Sequence, residues 1–145
     1  MELYTAGFTQ KTAEEFFGTL KRYGIRRLLD IRLNNVSQLA GFSKRDDLAY
    51  FLRELCQAAY IHDTLLAPTQ ELLDHYRKQK GGWEEYERRF LNLMAERRIE
   101  KHLHPEDFDA PTVLLCSEAT PEHCHRRLVA EYLRAKWGDV HIVHL

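Results

Sequence analysis

The segment Thr112-Val113-Leu114-Leu115-Cys116 is the clearest β-strand of this chain, because it is short, apolar and rich in branched residues. Thr120 and Pro121 follow it, and we expect Thr120 to cap a helix that has Pro121 at its first position. Gly138 should end that helix before a last strand at Val140-His141-Ile142-Val143. The apolar face of the helix consists of Leu128, Val129, Tyr132 and Leu133. The segment therefore predicts a strand–helix–strand unit.

The start of the chain has the same order of elements. Glu2 to Thr5 is a short extended segment, and a capping box at Thr12-Ala13-Glu14-Glu15 predicts a helix from Thr12 to Tyr23. Arg27-Leu28-Leu29-Asp30-Ile31 then has the apolar pattern of a buried parallel strand. Two such units predict an α/β fold, a single three-layer domain over residues 1–145 with a short, mostly parallel sheet flanked by helices.

The middle of the chain predicts loops and amphipathic helices. Residues from Arg32 to Gly41 read as a loop at the carboxyl end of a strand, and Lys78 to Gly82 as a turn. Ser43 could cap a helix, and Tyr60-Ile61-His62 forms a brief strand. The helix after Ser43 has apolar positions at Leu48, Phe51, Leu52 and Leu55. A later helical stripe, which we interpret as core packing, consists of Trp83, Tyr86, Phe90 and Leu93.

Composition and charge narrow the classes of function. The chain has 145 residues, of which 44% are hydrophobic and 30% charged, as in ordinary globular domains. Its net charge of -1 gives no general attraction to nucleic acid or to an acidic membrane. No segment resembles a leader peptide, a membrane span or a glycine-rich phosphate loop. We therefore expect a cytoplasmic protein with no membrane partner and no cofactor.

Three cysteines, Cys56, Cys116 and Cys124, form an odd set without the framework of a secreted protein. Structural disulfides are therefore not expected, and free thiols or metal ligation remain open. Cys116, Cys124 and His125 have suitable donor types for a metal, although zinc sites usually contain closely spaced cysteine pairs. We predict no metal ligands and keep a metal-binding protein as an alternative.

The carboxyl ends of the predicted strands carry most of the polar chemistry. In an open parallel sheet, ligands bind in the crevice beside these ends, close to helix N-termini that favour anions and thiolates. The candidate catalytic residues are Cys116, Glu118 and Asp30. Cys116 is either a nucleophile activated by the following helix or a small buried hydrophobe. The candidate ligand-binding residues are Arg32, Thr5, Gly7, Arg126, Cys124 and His125, although Arg126 could instead lie in solvent.

A basic stretch in the second half of the chain leaves another function open. It contains Arg88, Arg89, Arg97 and Arg98. Glutamates are interspersed among these arginines, which is typical of a solvated helix face. The same arginines could form a weak surface for nucleic acid or for a protein partner. A binding module is therefore an alternative to an enzyme.

Four motifs occur in a fixed order along the chain. They are Thr5-Ala6-Gly7, Asp30-Ile31-Arg32, Tyr60-Ile61-His62 and Leu115-Cys116-x-Glu118-x-x-Pro121-x-x-Cys124-His125-Arg126. Together they resemble a family of small prokaryotic proteins, the domain of unknown function 488 (DUF488) family, over nearly the whole chain. The resemblance implies a cytoplasmic α/β domain with a polar cluster near one sheet edge, formed by Asp30, Arg32, Cys116, Glu118, Cys124, His125 and Arg126. Gly7-Phe8-Thr9 departs from the Gly-His-Ser of many relatives, so a histidine role there does not carry over.

These observations favour a protein that binds a small anionic or nucleotide-like ligand between Arg32 and the helix beginning at Thr120. Cys116 or Glu118 would be its reactive group, as in a thiol- or carboxylate-dependent enzyme. A family of unknown function implies no particular reaction. The reaction, the substrate and the oligomeric state are therefore left open at this point.

Overall fold

A computed structural model describes residues 1–36, 41–77, 82–118 and 120–145. Its strands are β1 (Glu2–Gly7), β2 (Arg27–Asp30), β3 (Ala59–His62), β4 (Thr112–Cys116) and β5 (His141–His144). They form one sheet in the order β3-β2-β4-β1-β5, in which every neighbouring pair is parallel. The predicted α/β fold with a mainly parallel sheet is confirmed.

The helices are α1 (Ala13–Arg22), α2 (Arg45–Phe51), α3 (Gln70–Arg77), α4 (Trp83–Arg97), α5 (Ile99–His102) and α6 (His125–Trp137). The predicted capping box at the start of α1 is confirmed. The Glu15 backbone N–H donates to Thr12 Oγ1 and the Thr12 N–H donates to Glu15 Oε1, both at 3.1 Å. Within the described ranges, no helix is long and apolar enough to cross a bilayer.

Helices cover both faces of the sheet, which produces the predicted three layers. Side chains alternate along β4, so that Val113 and Leu115 face one helical layer while Leu114 and Cys116 face the other. The first layer contains α1 and α2, and the second contains α4 and α6. Cys116 therefore packs on the side of α6, whereas Cys56 packs on the opposite side of the sheet.

The predicted start of the last helix is wrong. Thr120 does not cap α6 and Pro121 does not open it, because the helix begins at His125 with Cys124 at its N-cap. Cys124 has an extended backbone (φ −134°, ψ 138°), and its N–H donates to the Pro121 carbonyl at 3.3 Å. The Cys124 side chain reaches back to the end of β4, which is incompatible with a helix that runs continuously from Thr120.

The segment around α2 also differs from the prediction. Ser43 does not cap this helix, which begins after Lys44 without a side-chain cap. The Ser43 carbonyl instead accepts a hydrogen bond from Arg32 Nη2 at 2.7 Å. After α2 the chain forms a π-helical turn, Leu52–Cys56. Leu55 is 45% exposed in this turn, although its spacing predicts that it lies on the apolar face of the helix.

Other boundaries differ by one or two residues. β1 extends past the predicted Thr5 to Gly7, and β5 begins one residue after the predicted Val140. The loop predicted from Arg32 to Gly41 includes residues 37–40, which lie outside the described residues. The predicted turn before Trp83 likewise includes 78–81, outside the described residues.

Two arginines of the basic stretch form contacts within the chain. Arg97 Nη1 donates to the carbonyls of Leu65 and Ala67, both at 2.7 Å. Arg89 Nη2 lies 3.8 Å from a carboxylate oxygen of Glu71. Arg97 therefore serves to hold the loop before α3, which reduces the basic surface that a nucleic acid could contact.

Gly7 lies where a side chain does not fit. A Cβ atom there would overlap the Glu118 carbonyl oxygen and stand 2.7 Å from Arg126 Nη1. We expect Gly7→Ala to lower the free energy of unfolding by about 2 kcal/mol, because overpacking a filled site costs roughly 1–3 kcal/mol. Urea unfolding measures this change.

Gly18→Ala in α1 is the matched control, since nothing lies within 4 Å of its Cβ position. It should stabilise the helix by roughly 0.5–1 kcal/mol, the usual advantage of alanine over glycine there. Equal effects of the two substitutions would contradict the close approach at Gly7.

Candidate functional site

The carboxyl ends of β1, β2 and β4 meet at one edge of the sheet. Gly7 at the end of β1 pairs with Cys116 at the end of β4, and Asp30 at the end of β2 pairs with Leu115. A cavity of about 250 Å³ lies at this edge. The candidate residues that line it are Arg32, Cys116, Glu118, Cys124 and His125. The predicted crevice at the carboxyl ends of the strands is therefore present.

Arg32 and Asp30 form a buried ion pair just after β2, with side chains only 3% and 0% exposed. Arg32 Nε donates to Asp30 Oδ1 at 2.8 Å, and Nη2 donates to Oδ2 at 2.7 Å, which is a two-pronged geometry. The guanidinium also lies over the ring of Phe8, 5.1 Å from its centre. Its Nη1 is buried and has no hydrogen-bond partner in the part of the chain that the structure describes.

Asp30 is held by other donors and is not among the residues that line the cavity. The Tyr60 hydroxyl donates to Asp30 Oδ2 at 2.6 Å and accepts from Asn35 Nδ2 at 2.9 Å. Burial, and then the hydrogen bond to Asp30, raise the pKa of Tyr60 well above its usual value, so that the hydroxyl keeps its proton. These contacts make Asp30 the group that orients Arg32, and a catalytic role for Asp30 stays a prediction.

Cys116 and Cys124 are joined by a disulfide, with their Cα atoms 7.2 Å apart. Both residues are nearly inaccessible, at 1% and 3% exposure. The expectation that disulfides are absent is wrong, because the turn before α6 brings Cys124 back over the end of β4. The odd cysteine of the set is Cys56, which is free and buried on the other face of the sheet.

Arg126 is completely buried behind the cysteines and does not line the cavity. Its Nη1 lies 3.5 Å from Cys116 Sγ and donates to the Glu118 carbonyl, while its Nε donates to Thr5 Oγ1 at 3.3 Å. These partners are all neutral. Burial lowers the pKa of Arg126 to about 10, so the guanidinium is still charged at neutral pH.

His125 is the first residue of α6 and is partly buried. Its Nε2 lies 2.7 Å from the Ile31 carbonyl, which can only accept, so Nε2 carries the hydrogen and Nδ1 is an acceptor. Burial lowers the pKa of His125 to about 4, against the smaller opposing effect of this hydrogen bond. The imidazole is therefore neutral at pH 7.

Cys116, Cys124 and His125 together offer the donor types of a metal site. Their two sulfurs and one ring nitrogen all lie within 4.8 Å of one another. Zinc is bound by thiolates and neutral imidazoles, whereas these sulfurs are bonded to each other. The donor set therefore fits a metal only when the disulfide is reduced.

An aromatic wall, assigned from the sequence to the core, forms one side of the cavity. Trp83 stacks on His123 with ring centres 4.9 Å apart and on Tyr86 at 5.1 Å. Tyr76 and Arg77 at the end of α3 also line the cavity. Helical periodicity identifies the apolar face of α4 correctly, but it carries no signal that the first turn of that face borders a cavity.

The candidate residues thus occupy two layers. The cavity wall contains Arg32, Cys116, Cys124 and His125, with Glu118 exposed at its rim. Behind the wall lie Thr5, Gly7, Asp30 and Arg126, all of them buried. The structure therefore brings all nine candidates to one sheet edge and separates those that face the cavity from those that support it.

The family described as Domain of unknown function DUF488 matches residues 12–133. The chain belongs to the DUF488 family. The match includes the complete segment from Cys116 to Arg126, so the resemblance inferred from the motifs is confirmed. No curated protein and no solved structure matches the chain. The arguments for a function of this DUF488 protein therefore rest on the geometry of the site.

The Asp30–Arg32 pair can be tested by substitution. Asp30→Asn leaves a buried guanidinium without its counter-charge, and we expect it to lower the free energy of unfolding by about 3–5 kcal/mol. Tyr60→Phe is the matched control, because it removes one donor to Asp30 and leaves the ion pair intact. Tyr60→Phe should lower the free energy of unfolding by only about 1 kcal/mol, the usual contribution of one hydrogen bond. Urea unfolding followed by circular dichroism measures both, and equal costs would contradict the proposed arrangement.

Proposed function

We propose that the cavity binds a small anionic ligand with a planar ring, of the nucleotide-like class, and that Cys116 is the reacting group. The observation that carries the proposal is the buried and unpartnered Nη1 of Arg32, a residue that lines the same cavity as Cys116. A buried donor without a partner costs about 1–3 kcal/mol. An anionic ligand that accepts this hydrogen bond would remove that cost.

The charges around the cavity favour an anion. Arg32 is neutralised by its carboxylate partner, so it contributes a directed hydrogen bond more than a net charge. Arg77 is exposed and lines the cavity, and Arg126 adds a buried positive charge behind Cys116. Glu118 is the opposing carboxylate, and its exposed position at the rim lets solvent screen it.

The aromatic wall favours a flat ring. Trp83 has stacked neighbours, His123 and Tyr86, and all three line the cavity. Such faces bind planar rings by offset stacking. The cavity volume of about 250 Å³ lies near the lower end of small-molecule sites, roughly 300–1,000 Å³, which favours a ligand no larger than a mononucleotide.

The surroundings of Cys116 favour a reactive thiol. A positive guanidinium 3.5 Å from its sulfur stabilises the thiolate over the thiol, which is how proteins activate cysteine nucleophiles. Glu118 at the rim is the nearby carboxylate that could exchange protons with a ligand. In the cytoplasm, where we place this protein, thiol reductants would keep Cys116 available.

Fluorescence of Trp83 tests ligand binding. The chain has two tryptophans, so Trp137→Phe leaves Trp83 as the only one. We expect adenosine 5′-monophosphate to quench this fluorescence saturably. Arg32→Lys in the same background keeps a positive charge beside Asp30 but removes Nη1. It should weaken binding about tenfold or more, because a hydrogen bond to a charged group contributes roughly 1.5–3 kcal/mol.

Arg134→Lys is the matched control, since Arg134 is exposed on α6 and does not line the cavity. It should leave the affinity unchanged. The proposal fails if neither the mononucleotide nor inorganic phosphate quenches Trp83, or if both arginine substitutions weaken binding equally.

A second candidate function is metal binding by the reduced protein. It is favoured by the closeness of the donor atoms of Cys116, Cys124 and His125, and by the Nδ1 of His125 that the Ile31 hydrogen bond leaves as an acceptor. Elemental analysis of protein purified without chelator under reducing conditions distinguishes the two candidates. One zinc per chain would favour the metal site, and sub-stoichiometric zinc would favour the ligand site.

A further inference from the structure

We propose that Cys116 and Cys124 form a reversible dithiol–disulfide couple that exchanges with small anionic disulfides in the cavity. Cys116 attacks the substrate and Cys124 completes the exchange. This inference rests on the reactive Cys116 of the proposed function and names the substrate class and the second reacting residue.

The two sulfurs are placed for this chemistry by the fold. Cys116 ends a central strand and Cys124 precedes α6, and both line the same cavity while bonded to each other. Cys56 is separated from them by the sheet, in the other hydrophobic cluster. The pair can therefore open and close without competition from the third cysteine.

The surroundings of the sulfurs assign their roles. Cys116 Sγ lies 3.5 Å from Nη1 of the buried Arg126, and this guanidinium can neutralise the negative charge on the sulfur as it attacks, so Cys116 is the attacking cysteine. Cys124 is at the N-cap of α6, a helix of 13 residues whose N-terminal dipole stabilises the second thiolate when it forms. Positive groups beside both sulfurs stabilise the reduced form of a disulfide and so make it easier to reduce.

The exchange balances without any further reactant. The Cys116 thiolate attacks one sulfur of the substrate, which forms a mixed disulfide and releases the first substrate thiolate. Cys124 then loses its proton to solvent and attacks Cys116 Sγ, which closes the protein disulfide and releases the second thiolate. The two cysteines are oxidised by two electrons, and one substrate disulfide is reduced to two thiols.

The cavity restricts the substrate to small anions. At 1% and 3% exposure, the cysteines are out of reach of a disulfide on the surface of a folded protein. The buried Nη1 of Arg32 and the guanidinium of Arg77 favour carboxylates on the molecule that enters. A cationic disulfide of similar size should react more slowly, because it meets the same two arginines.

Reaction with 3,3′-dithiodipropionate, a small dianionic disulfide, tests the inference. We expect the reduced Cys56→Ser protein to form the Cys116–Cys124 disulfide and release two equivalents of 3-mercaptopropionate, as measured by mass spectrometry after alkylation. In Cys56→Ser/Cys124→Ser, a mercaptopropionate adduct should remain on Cys116. In Cys56→Ser/Cys116→Ser, adduct formation on Cys124 should be at least about tenfold slower, because that thiol lacks the neighbouring guanidinium. Cystamine, a cationic disulfide of similar size, should react at least about tenfold more slowly than 3,3′-dithiodipropionate.

The outcomes separate this inference from the proposed function. If Cys116 is alkylated readily but the reduced Cys56→Ser protein keeps both thiols in 3,3′-dithiodipropionate, the couple is refuted and the reactive thiol stands. If Cys116 is inert in every variant, both fail. An adduct that forms first on Cys124 would overturn the assigned roles, and equal rates with cystamine and 3,3′-dithiodipropionate would overturn the anionic substrate class. If a variant at Cys116 or Cys124 does not fold, the number of free thiols left in the Cys56→Ser protein after this reaction still tests the couple.

Discussion

The buried guanidinium of Arg126 is the charge on which the arrangement of the carboxyl edge depends. A cation with no exposure to water must be solvated by protein dipoles. It receives this solvation from the Thr5 hydroxyl, the Glu118 carbonyl and the Cys116 sulfur. Gly7 leaves the space for it, since a side chain there would strike the same carbonyl and guanidinium. The Arg126 guanidinium therefore contacts β1, β4 and the loop after β4 at the same time.

Two buried arginines lie at this edge, and their different partners give them different roles. Arg32 is paired with Asp30, so its charge is balanced, and its buried Nη1 has no hydrogen-bond partner among the described residues. Arg126 has neutral partners, so its charge acts on the sulfur of Cys116. An anion bound at Arg32 would thus lie beside a cysteine whose ionisation a second arginine favours. The proposed function rests on this division between a binding arginine and an activating one.

Local sequence signals predicted the elements and the edge at which the candidate residues meet, since caps, periodicity and strand pattern depend on near neighbours. They gave wrong predictions where a contact between residues far apart in the sequence determines the local structure. Thr120 and Pro121 have the local signature of a helix start, yet the link from Cys124 to Cys116 delays the helix to His125. An odd cysteine count likewise could not reveal which two cysteines the turn brings together. The division into cavity wall and buried support also depends on tertiary packing that periodicity does not encode.

Ultraviolet absorbance of the thiolate tests the central claim, that Arg126 controls the chemistry of Cys116. In Cys56→Ser/Cys124→Ser, Cys116 is the only thiol in the chain. We expect Arg126→Met in the same background to raise its titration midpoint, because the positive charge 3.5 Å from the sulfur is lost. A midpoint that does not respond to Arg126→Met would contradict the account.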